Sequence, residues 1–303
     1  MPHDHIRPSA AGTVCILLAA MAFSAKAVIV KLAYAYAVDA ATLLALRMLF
    51  SAPFFLLMAL WSARGAAADS LTRKDWISVA SLGFIGYYLA SYLDFLGLQY
   101  ITAGLERIIL FLYPTVVVLL SAWLLKKPVR RHHVAALVLS YGGIALVFAE
   151  NLEFGSHASE VALGGALVFA SGVVYSFYLI GTGEVIGKLG AARFTSYAML
   201  VACGVAMLQF LAAHDVSELA LPREVYWLSL LMAVVSTVVP ALLMSEGIRR
   251  TSANHAALVG SVGPVVTIYL GHRMLNEPIS AIQLAGVVLV LAGVTLVSTK
   301  KPS

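Results

Sequence analysis

The chain has 303 residues, of which 61% are hydrophobic and 12% are charged, and its mean hydropathy is +0.92. A soluble domain is usually about 45–50% apolar and about 25% charged, so these few charges cannot cover a water-soluble surface. A net charge of +5 without a basic stripe or arm also excludes a nucleic-acid-binding protein. The composition therefore predicts an integral membrane protein.

Ten apolar runs have about the 20 residues that a helix needs to cross a bilayer. They lie at 11–31, 40–62, 76–98, 101–125, 133–149, 160–183, 194–213, 225–247, 252–274 and 280–298. Their apolar residues do not alternate with a period of two, which disfavours a membrane β-barrel. The first run is too long for the apolar region of a signal peptide and carries Lys26, so we interpret it as a retained span. The sequence predicts an all-α protein with ten transmembrane helices.

The basic residues predict how this bundle is oriented. With the N-terminus in the cytoplasm, 14 of the 20 Lys and Arg residues fall on the cytoplasmic side, 3 on the opposite side and 3 within spans. Cytoplasmic loops of membrane proteins carry such an excess of positive charge. Both termini are therefore predicted to be cytoplasmic, in a multi-pass protein of the inner or plasma membrane.

The second half of the chain repeats the first at an offset of 150 residues. When residues 97–147 are aligned with 247–297, 13 of the 51 positions are identical. Each half contains five spans, and because five is odd, the second half enters the membrane from the opposite side. This is an inverted repeat, an arrangement typical of secondary transporters. We predict a first repeat at 11–149, an external acidic linker at 150–159 and a second repeat at 160–298.

Four segments contain the most recognisable motifs of the chain. They are FSAKAVIVKLA (23–33), ALRMLFSAPFF (45–55), GLQYITAGLERIILFLYPTVVVLLSAWLLKKP (97–128) and EGIRRTSANHAALVGSVGPVVTIYLGHRMLNEP (246–278). In these segments the chain resembles the drug/metabolite transporter superfamily, specifically its EamA-type ten-helix exporters. That family usually places an acidic residue after the fourth and ninth spans; Glu277 fits the pattern, whereas Lys127 stands at the matching place. The resemblance implies a secondary transporter that exports small metabolites, such as amino acids or related compounds, by alternating access.

Five charged residues of the first half fall inside predicted spans, namely Lys26, Arg47, Asp94, Glu106 and Arg107. A charge within the membrane costs about 2.5–3.5 kcal/mol and usually serves a function. At a rise of about 1.5 Å per residue, all five lie in the outer half of the membrane at similar heights. We expect one charged layer along the substrate pathway, in which Lys26 or Arg47 pairs with an acidic residue. The alternatives are permanent salt bridges between helices, or side chains that snorkel to the interface.

In the second half, Glu246 and His255 lie near the cytoplasmic ends of their spans. Both are assigned to the pathway for substrate or coupling ion. A histidine titrates near neutral pH and could report cytoplasmic acidity, although a hydrogen bond at a helix end is the commoner role. Glu246 aligns with Leu96 and His255 with Leu105, so the two halves are not chemically equivalent.

Two prolines and two tyrosines complete the predicted pathway. Pro114 and Pro264 stand at matching mid-span positions, where each removes a backbone hydrogen bond and kinks its helix. Such a kink permits a half-helix to bend, or it is a static feature of packing. Tyr88 and Tyr113 belong to clusters of aromatic residues that suit the wall of a pathway, although membrane tyrosines often serve packing alone.

We expect proton coupling through Glu106, because proton uptake there would break an ion pair. A gradient-independent facilitator and a flippase for lipids or lipid precursors remain alternatives. The chain shows no converging catalytic residues and no nucleotide-binding loop, so we expect neither an enzyme nor ATP as energy source. No cofactor or metal is predicted, since Cys15 and Cys203 lie singly within apolar runs. The expected partners are a small-molecule substrate and membrane lipid, for a monomer or a homodimer.

Overall fold

The computed structural model describes residues 9–64, 71–126, 128–154, 158–251 and 253–299. Ten helical spans occupy most of them, numbered 1 to 10, and spans 4 and 9 each consist of two separate helices. They are Ala10–Tyr34 (span 1), Ala40–Arg64 (span 2), Arg73–Leu98 (span 3), Ala103–Leu110 and Tyr113–Leu124 (spans 4a and 4b), Arg131–Phe154 (span 5), Ala158–Leu189 (span 6), Ala191–Ala213 (span 7), Arg223–Arg250 (span 8), Ala253–Gly260 and Gly263–Leu275 (spans 9a and 9b) and Ala281–Thr299 (span 10). A short 3-10 helix, Val216–Leu219, lies between spans 7 and 8.

The all-helical membrane fold predicted from the sequence is confirmed. Each predicted run coincides with one of these segments, and the described residues contain no strand. By length and composition, spans 1 to 8 each suffice to cross a membrane, whereas the apolar part of span 10, Ala281–Leu296, is shorter. Spans 5 and 6 extend as helices into both sides of the predicted linker at 150–159. The repeat boundaries and the cytoplasmic termini stay predictions.

Spans 4 and 9 are interrupted at equivalent places, 111–112 and 261–262, which are 150 residues apart. Pro114 and Pro264 each lie in the first turn of the helix that follows the break. The first turn tolerates proline well, because its missing N–H would have no helical partner there. Each proline therefore begins a new helix instead of bending a continuous one.

Spans 3 and 8 each contain a segment of wide π-helical turn. These segments, Phe84–Leu89 and Val234–Val238, again begin 150 residues apart. A π-helical turn pairs residue i with i+5, is rare in proteins and often occurs at functional sites. The offset found in the sequence thus reappears in details of backbone geometry.

Two close helix crossings show that the repeats are related by a pseudo-twofold axis. A Cβ added to Gly97 would lie 2.8 Å from the carbonyl oxygen of Gly164, and one added to Gly247 would lie 3.0 Å from that of Gly12. The first crossing joins spans 3 and 6, and the second joins spans 8 and 1. Exchange of the two halves converts one crossing into the other: Gly97 corresponds to Gly247, and Gly12 corresponds to Gly164. The offset between spans 1 and 6 is therefore 152 residues.

A pair of hydrogen bonds obeys the same symmetry. The hydroxyl of Ser24 in span 1 donates to the carbonyl of Gly263 at 3.0 Å, and that of Ser176 in span 6 donates to the carbonyl of Tyr113 at 3.2 Å. Each bond attaches an unbroken span to the first residue of a half-helix in the other repeat. These reciprocal contacts confirm the two inverted repeats of five spans.

Spans 5 and 10 form a tight glycine-lined contact at one side of the bundle. A Cβ on either Gly143 or Gly286 would lie 2.7 Å from the carbonyl oxygen of the other residue. Spans 2 and 7 also pack together, so each of these two contacts joins a span to its own counterpart in the other repeat. The five charged residues within spans of the first half all lie on spans 1 to 4, so none of them is part of the contact between spans 5 and 10.

The two ends of the bundle differ in how the half-helices pack. At the end that carries residues 99–102, which we call the outer end, span 4a packs against span 9b. The equivalent pair at the inner end, spans 9a and 4b, makes no comparable contact among the described residues. Ile108 of span 4a is 1% exposed, whereas its counterpart Leu258 of span 9a is 39% exposed. Span 4a is therefore packed more tightly at the outer end than its counterpart span 9a is at the inner end.

Candidate substrate and coupling site

A buried ion cluster joins spans 1, 3 and 4a near the outer end. The ammonium Nζ of Lys26 lies 2.5 Å from Oδ2 of Asp94 and 3.3 Å from Oε1 of Glu106. The side chain of Lys26 is 15% exposed, and those of Asp94 and Glu106 are 2% and 0% exposed. We call these three residues the ion triad. It connects three helices through one ammonium group.

The carboxylates of the ion triad keep unused hydrogen-bonding capacity. Oδ1 of Asp94 and both oxygens of Glu106 are buried without a hydrogen-bond partner in the described part of the chain. Two carboxyl groups thus share the single ammonium group of Lys26. Buried polar groups are normally satisfied, and exceptions often mark a site that binds a proton, a water or a ligand.

Arg47 of span 2 lies beside the ion triad without forming a salt bridge in it. One terminal nitrogen of its guanidinium group donates to the hydroxyl of Ser91 at 3.0 Å, and the group lies 5.0 Å from the ring centre of Phe95. The residue is 6% exposed, and its Nε has no hydrogen-bond partner among the described residues. Arg47 lies close enough to Asp94 for the opposite charges of the two groups to attract each other. Its positive charge is held by a hydroxyl and an aromatic face, which attracts cations.

Arg107 joins the first repeat to the second. Its guanidinium group donates to the carbonyl of Phe23 at 2.6 Å and to the hydroxyl of Thr267 in span 9b at 3.0 Å. Thr267 in turn donates to the carbonyl of Ser24 at 3.0 Å. Because successive residues of a helix point about 100° apart, Glu106 contacts Lys26 while Arg107 reaches span 9b.

The structure brings the five charged residues of the first half into one region. Lys26, Asp94 and Glu106 are in direct contact, Arg47 lies next to Asp94, and Arg107 lies across span 4a from them. Their role in transport stays a prediction. Which cation pairs with which carboxylate was open in the sequence, and the structure pairs Lys26 with both.

The tyrosines form two separate groups in the described structure. Tyr88 stacks on Tyr92 with ring centres 6.1 Å apart. Tyr113 packs edge-on against Tyr175, with ring centres 5.5 Å apart. Tyr175 stacks on Tyr178, and the hydroxyl of Tyr178 donates a hydrogen bond to the hydroxyl of Tyr87 at 2.8 Å. The second group extends from the break in span 4 along span 6.

Glu246 and His255 lie far along the chain from the ion triad, at the inner end. Glu246 is held by its neighbours Arg249 and Arg250, at 2.6 Å and 2.5 Å, on an exposed face at the end of span 8. Nε2 of His255 lies 2.9 Å from the hydroxyl of Thr13 and so links span 9a to span 1. Neither residue contacts the ion triad in these pairings, and their part in a pathway stays a prediction.

Two charged residues that the sequence did not assign to the site hold the outer end of span 4a. The carboxylate of Glu277 accepts from the backbone N–H of Ala103 at 2.8 Å and of Gly104 at 3.2 Å. The ammonium of Lys31 donates to the carbonyls of Leu98 at 3.3 Å and Ile101 at 3.0 Å. The acidic loop pattern did mark Glu277, but nothing in the sequence indicated that its partner is span 4a.

Comparison with known proteins shows the family to which the chain is similar. The EamA-like transporter family matches the chain twice, at residues 10–149 and 162–299. The uncharacterized transporter YcbK of Bacillus subtilis (strain 168) is 30% identical over 290 residues, which cover 93% of this chain and 90% of that protein. The uncharacterized transporter YetK of the same organism is 26% identical over 306 residues, covering 96% and 88%.

A solved crystal structure of another protein has the same fold. It superposes with a TM-score of 0.66 at 17% sequence identity, and the match covers 94% of this chain and 95% of that chain. At this identity the likeness concerns the fold alone.

Proposed function

Because the chain belongs to the EamA-like transporter family, we propose that it exports small metabolites, amino acids or related compounds, by proton-coupled alternating access. The family and the apolar helices make it a multi-pass membrane transporter. The cargo, the direction and the coupling are the proposal.

The contact of one lysine with two buried carboxylates carries this proposal. With both carboxylates ionised, the ion triad has a net charge of −1 and connects Lys26 to spans 3 and 4a. A proton on Glu106 removes that excess charge and leaves a single ion pair between Lys26 and Asp94. Because charges are costly inside a membrane, the proton changes the energy of holding span 4a against span 1.

The inverted repeat supports alternating access. The reciprocal bonds of Ser24 and Ser176 give each repeat the same attachment to the half-helix of the other repeat. Two repeats of equivalent backbone can exchange conformations and so open a central site to either side of the membrane. The breaks in spans 4 and 9 provide places where a half-helix can move without unfolding a long helix.

The experiment measures uptake of radiolabelled amino acids, purines and amines into inside-out membrane vesicles, with and without an imposed acid-inside proton gradient. We expect gradient-driven accumulation of at least one compound by the wild type. Glu106→Gln keeps the shape of the side chain and removes its charge, so we expect it to abolish the response to the gradient.

Glu224→Gln is the matched control, because Glu224 is a half-exposed carboxylate at the start of span 8 that pairs with Arg223. This variant should transport like the wild type. Equal, gradient-independent movement by wild type and Glu106→Gln would make the protein a facilitator. No movement of any compound would contradict metabolite export and favour the flippase alternative.

A further inference from the structure

The turn between spans 3 and 4a is held from two sides by charged residues. Lys31 of span 1 binds the carbonyls of Leu98 and Ile101, which precede span 4a. Glu277, which follows span 9b, binds the N–H groups of Ala103 and Gly104, which begin span 4a. A helix N-terminus carries free N–H groups and a partial positive charge, so a carboxylate there is stabilising. Lys31 and Glu277 also attract each other across the turn.

This turn controls the position of the ion triad. Span 4a has only eight residues and ends at the break at 111–112, so it can move apart from span 4b. Its fourth residue, Glu106, contacts Lys26, and its fifth, Arg107, contacts span 9b. To open the outer end, span 4a must leave span 9b, and this motion separates Glu277 from the two N–H groups.

The inner end has the same backbone turn without the same charges. Asn276 and Lys126 each end their helix in the left-handed conformation, with φ of 55° and 52°, one repeat offset apart. The next residue is Glu277 at the outer end, and Lys127 at the inner end lies outside the described residues. A lysine is disfavoured at a helix N-terminus, where positive charge is repelled. Lys31 has Gly183 as its counterpart in span 6, which supplies no charge.

We propose that Lys31 and Glu277 form an outer latch, whose matching positions in the sequence, Gly183 and Lys127, cannot form the same charge pair, so that the transporter rests closed to the outside and open to the cytoplasm. This inference rests on the alternating access proposed above. It agrees with the tight packing of span 4a on span 9b and with the exposure of Leu258 in span 9a. An exporter with this resting state loads its cargo from the cytoplasm.

The test uses a pair of counterpart reporters, Ile108→Cys and Leu258→Cys, each in a Cys15→Ala, Cys203→Ala background. A membrane-impermeant maleimide is applied to intact cells and to inside-out vesicles. In the resting state, Leu258→Cys should react in inside-out vesicles and Ile108→Cys should be protected on both sides. Glu277→Gln should raise the labelling rate of Ile108→Cys in intact cells by about fivefold, the effect of losing one helix cap.

Lys31→Gln is a second way to weaken the outer latch, and it should shift both reporters in the same direction as Glu277→Gln. Glu218→Gln removes an exposed carboxylate from the outer loop and should leave both labelling rates unchanged. Faster labelling of Ile108→Cys than of Leu258→Cys in the otherwise unmodified protein would overturn the proposal. Unchanged rates in both latch variants would overturn it as well.

The labelling rates need neither substrate nor proton gradient. If the latch variants shift the reporters while Glu106→Gln transports normally, the outer latch stands and proton coupling fails. If Glu106→Gln loses gradient-driven transport while the reporters stay unchanged, proton coupling stands and the outer latch fails.

Discussion

Span 1 carries Lys26 two residues after Ser24, and its counterpart span 6 carries Tyr178 two residues after Ser176. The two serines make equivalent hydrogen bonds, but Lys26 binds two carboxylates and Tyr178 binds the hydroxyl of Tyr87. The counterparts of Asp94 and Glu106 are Met244 and Ala256. Backbone shape is shared between the repeats, whereas the positions in the second repeat that match the ion triad carry no charged residue.

If the protein works by the proposed alternating access, this difference ties the ion triad to one conformation. In alternating access the two repeats exchange conformations, so spans 1 and 4a adopt the arrangement that spans 6 and 9a have in this structure. Spans 6 and 9a make no contact comparable to that of spans 1 and 4a among the described residues. The proposed alternating access therefore predicts that Lys26 and Glu106 meet only while the outer end is closed. A chemically symmetric protein would form the same ion pairs in both conformations and would gain no preference from them.

The largest expected loss of stability comes from removing Lys26, the charged residue of the two counterparts Lys26 and Tyr178. Lys26→Met leaves two buried carboxylates without an ammonium, which should cost about 3–5 kcal/mol of stability. Tyr178→Phe, at the counterpart position, loses one hydroxyl contact and should cost about 1 kcal/mol. Thermal unfolding of the purified variants in detergent measures both. Equal losses would mean that the ion triad stabilises the fold no more than its neutral counterpart does.

A smaller effect is expected where the repeats share their shape. Gly97→Ala and Gly247→Ala each push a Cβ toward a backbone oxygen of the crossing helix, so each should cost about 1–3 kcal/mol. Gly142→Ala is the control, because its added Cβ meets no atom within 4 Å. The same unfolding measurement applies. A loss in only one of the two crossing variants would break the symmetry that we ascribe to the backbone.

The smallest effect concerns the outer loops. The hydrogen bond with Glu218, at 2.8 Å, raises the pKa of His214 above its ordinary value of 6.5, and Asp39 lies 3.5 Å from the other ring nitrogen. The stability from protonated His214 is complete below about pH 6.5. It is lost as pH rises through the raised pKa of the folded protein.

His214→Gln should therefore lower the melting temperature by about 1 °C at pH 6, the scale of a solvent-exposed pair. At pH 9 the variant and the wild type should melt alike. A difference that persists unchanged at pH 9 would contradict an ionic contribution of His214.

Much of the fold was open to prediction from the sequence, because it depends on length, hydropathy and spacing. The ten runs, the offset of 150 residues and the odd number of spans per half led to the inverted repeat. The complete breaks in spans 4 and 9 were predicted only as kinks. A proline removes one hydrogen bond wherever it stands, and whether the helix bends or restarts depends on packing around it.

Less of the site was predictable. The sequence placed five charged residues at similar heights, but height alone does not decide which side chains meet. Lys26 takes both carboxylates and Arg47 turns to Ser91 because of helix rotation and crossing, which the sequence does not specify. The sequence marked Glu277 as an acidic loop residue. Its partner Ala103 could not be predicted, because the two residues are 174 positions apart in the chain.

The π-helical turn in span 3 makes the direction of Asp94 depend on chain length as well as on residue identity. Phe84–Leu89 fits one extra residue into its turn, and residues after it are rotated by about 100° relative to an uninterrupted α-helix. Asp94 follows this segment and Val79 precedes it, so a single helical wheel assigns the two residues to the wrong relative faces. Loss of one residue in this segment would thus restore a regular α-helix and leave the carboxylate of Asp94 directed toward Lys26, because the wide turn is what accommodates the extra residue.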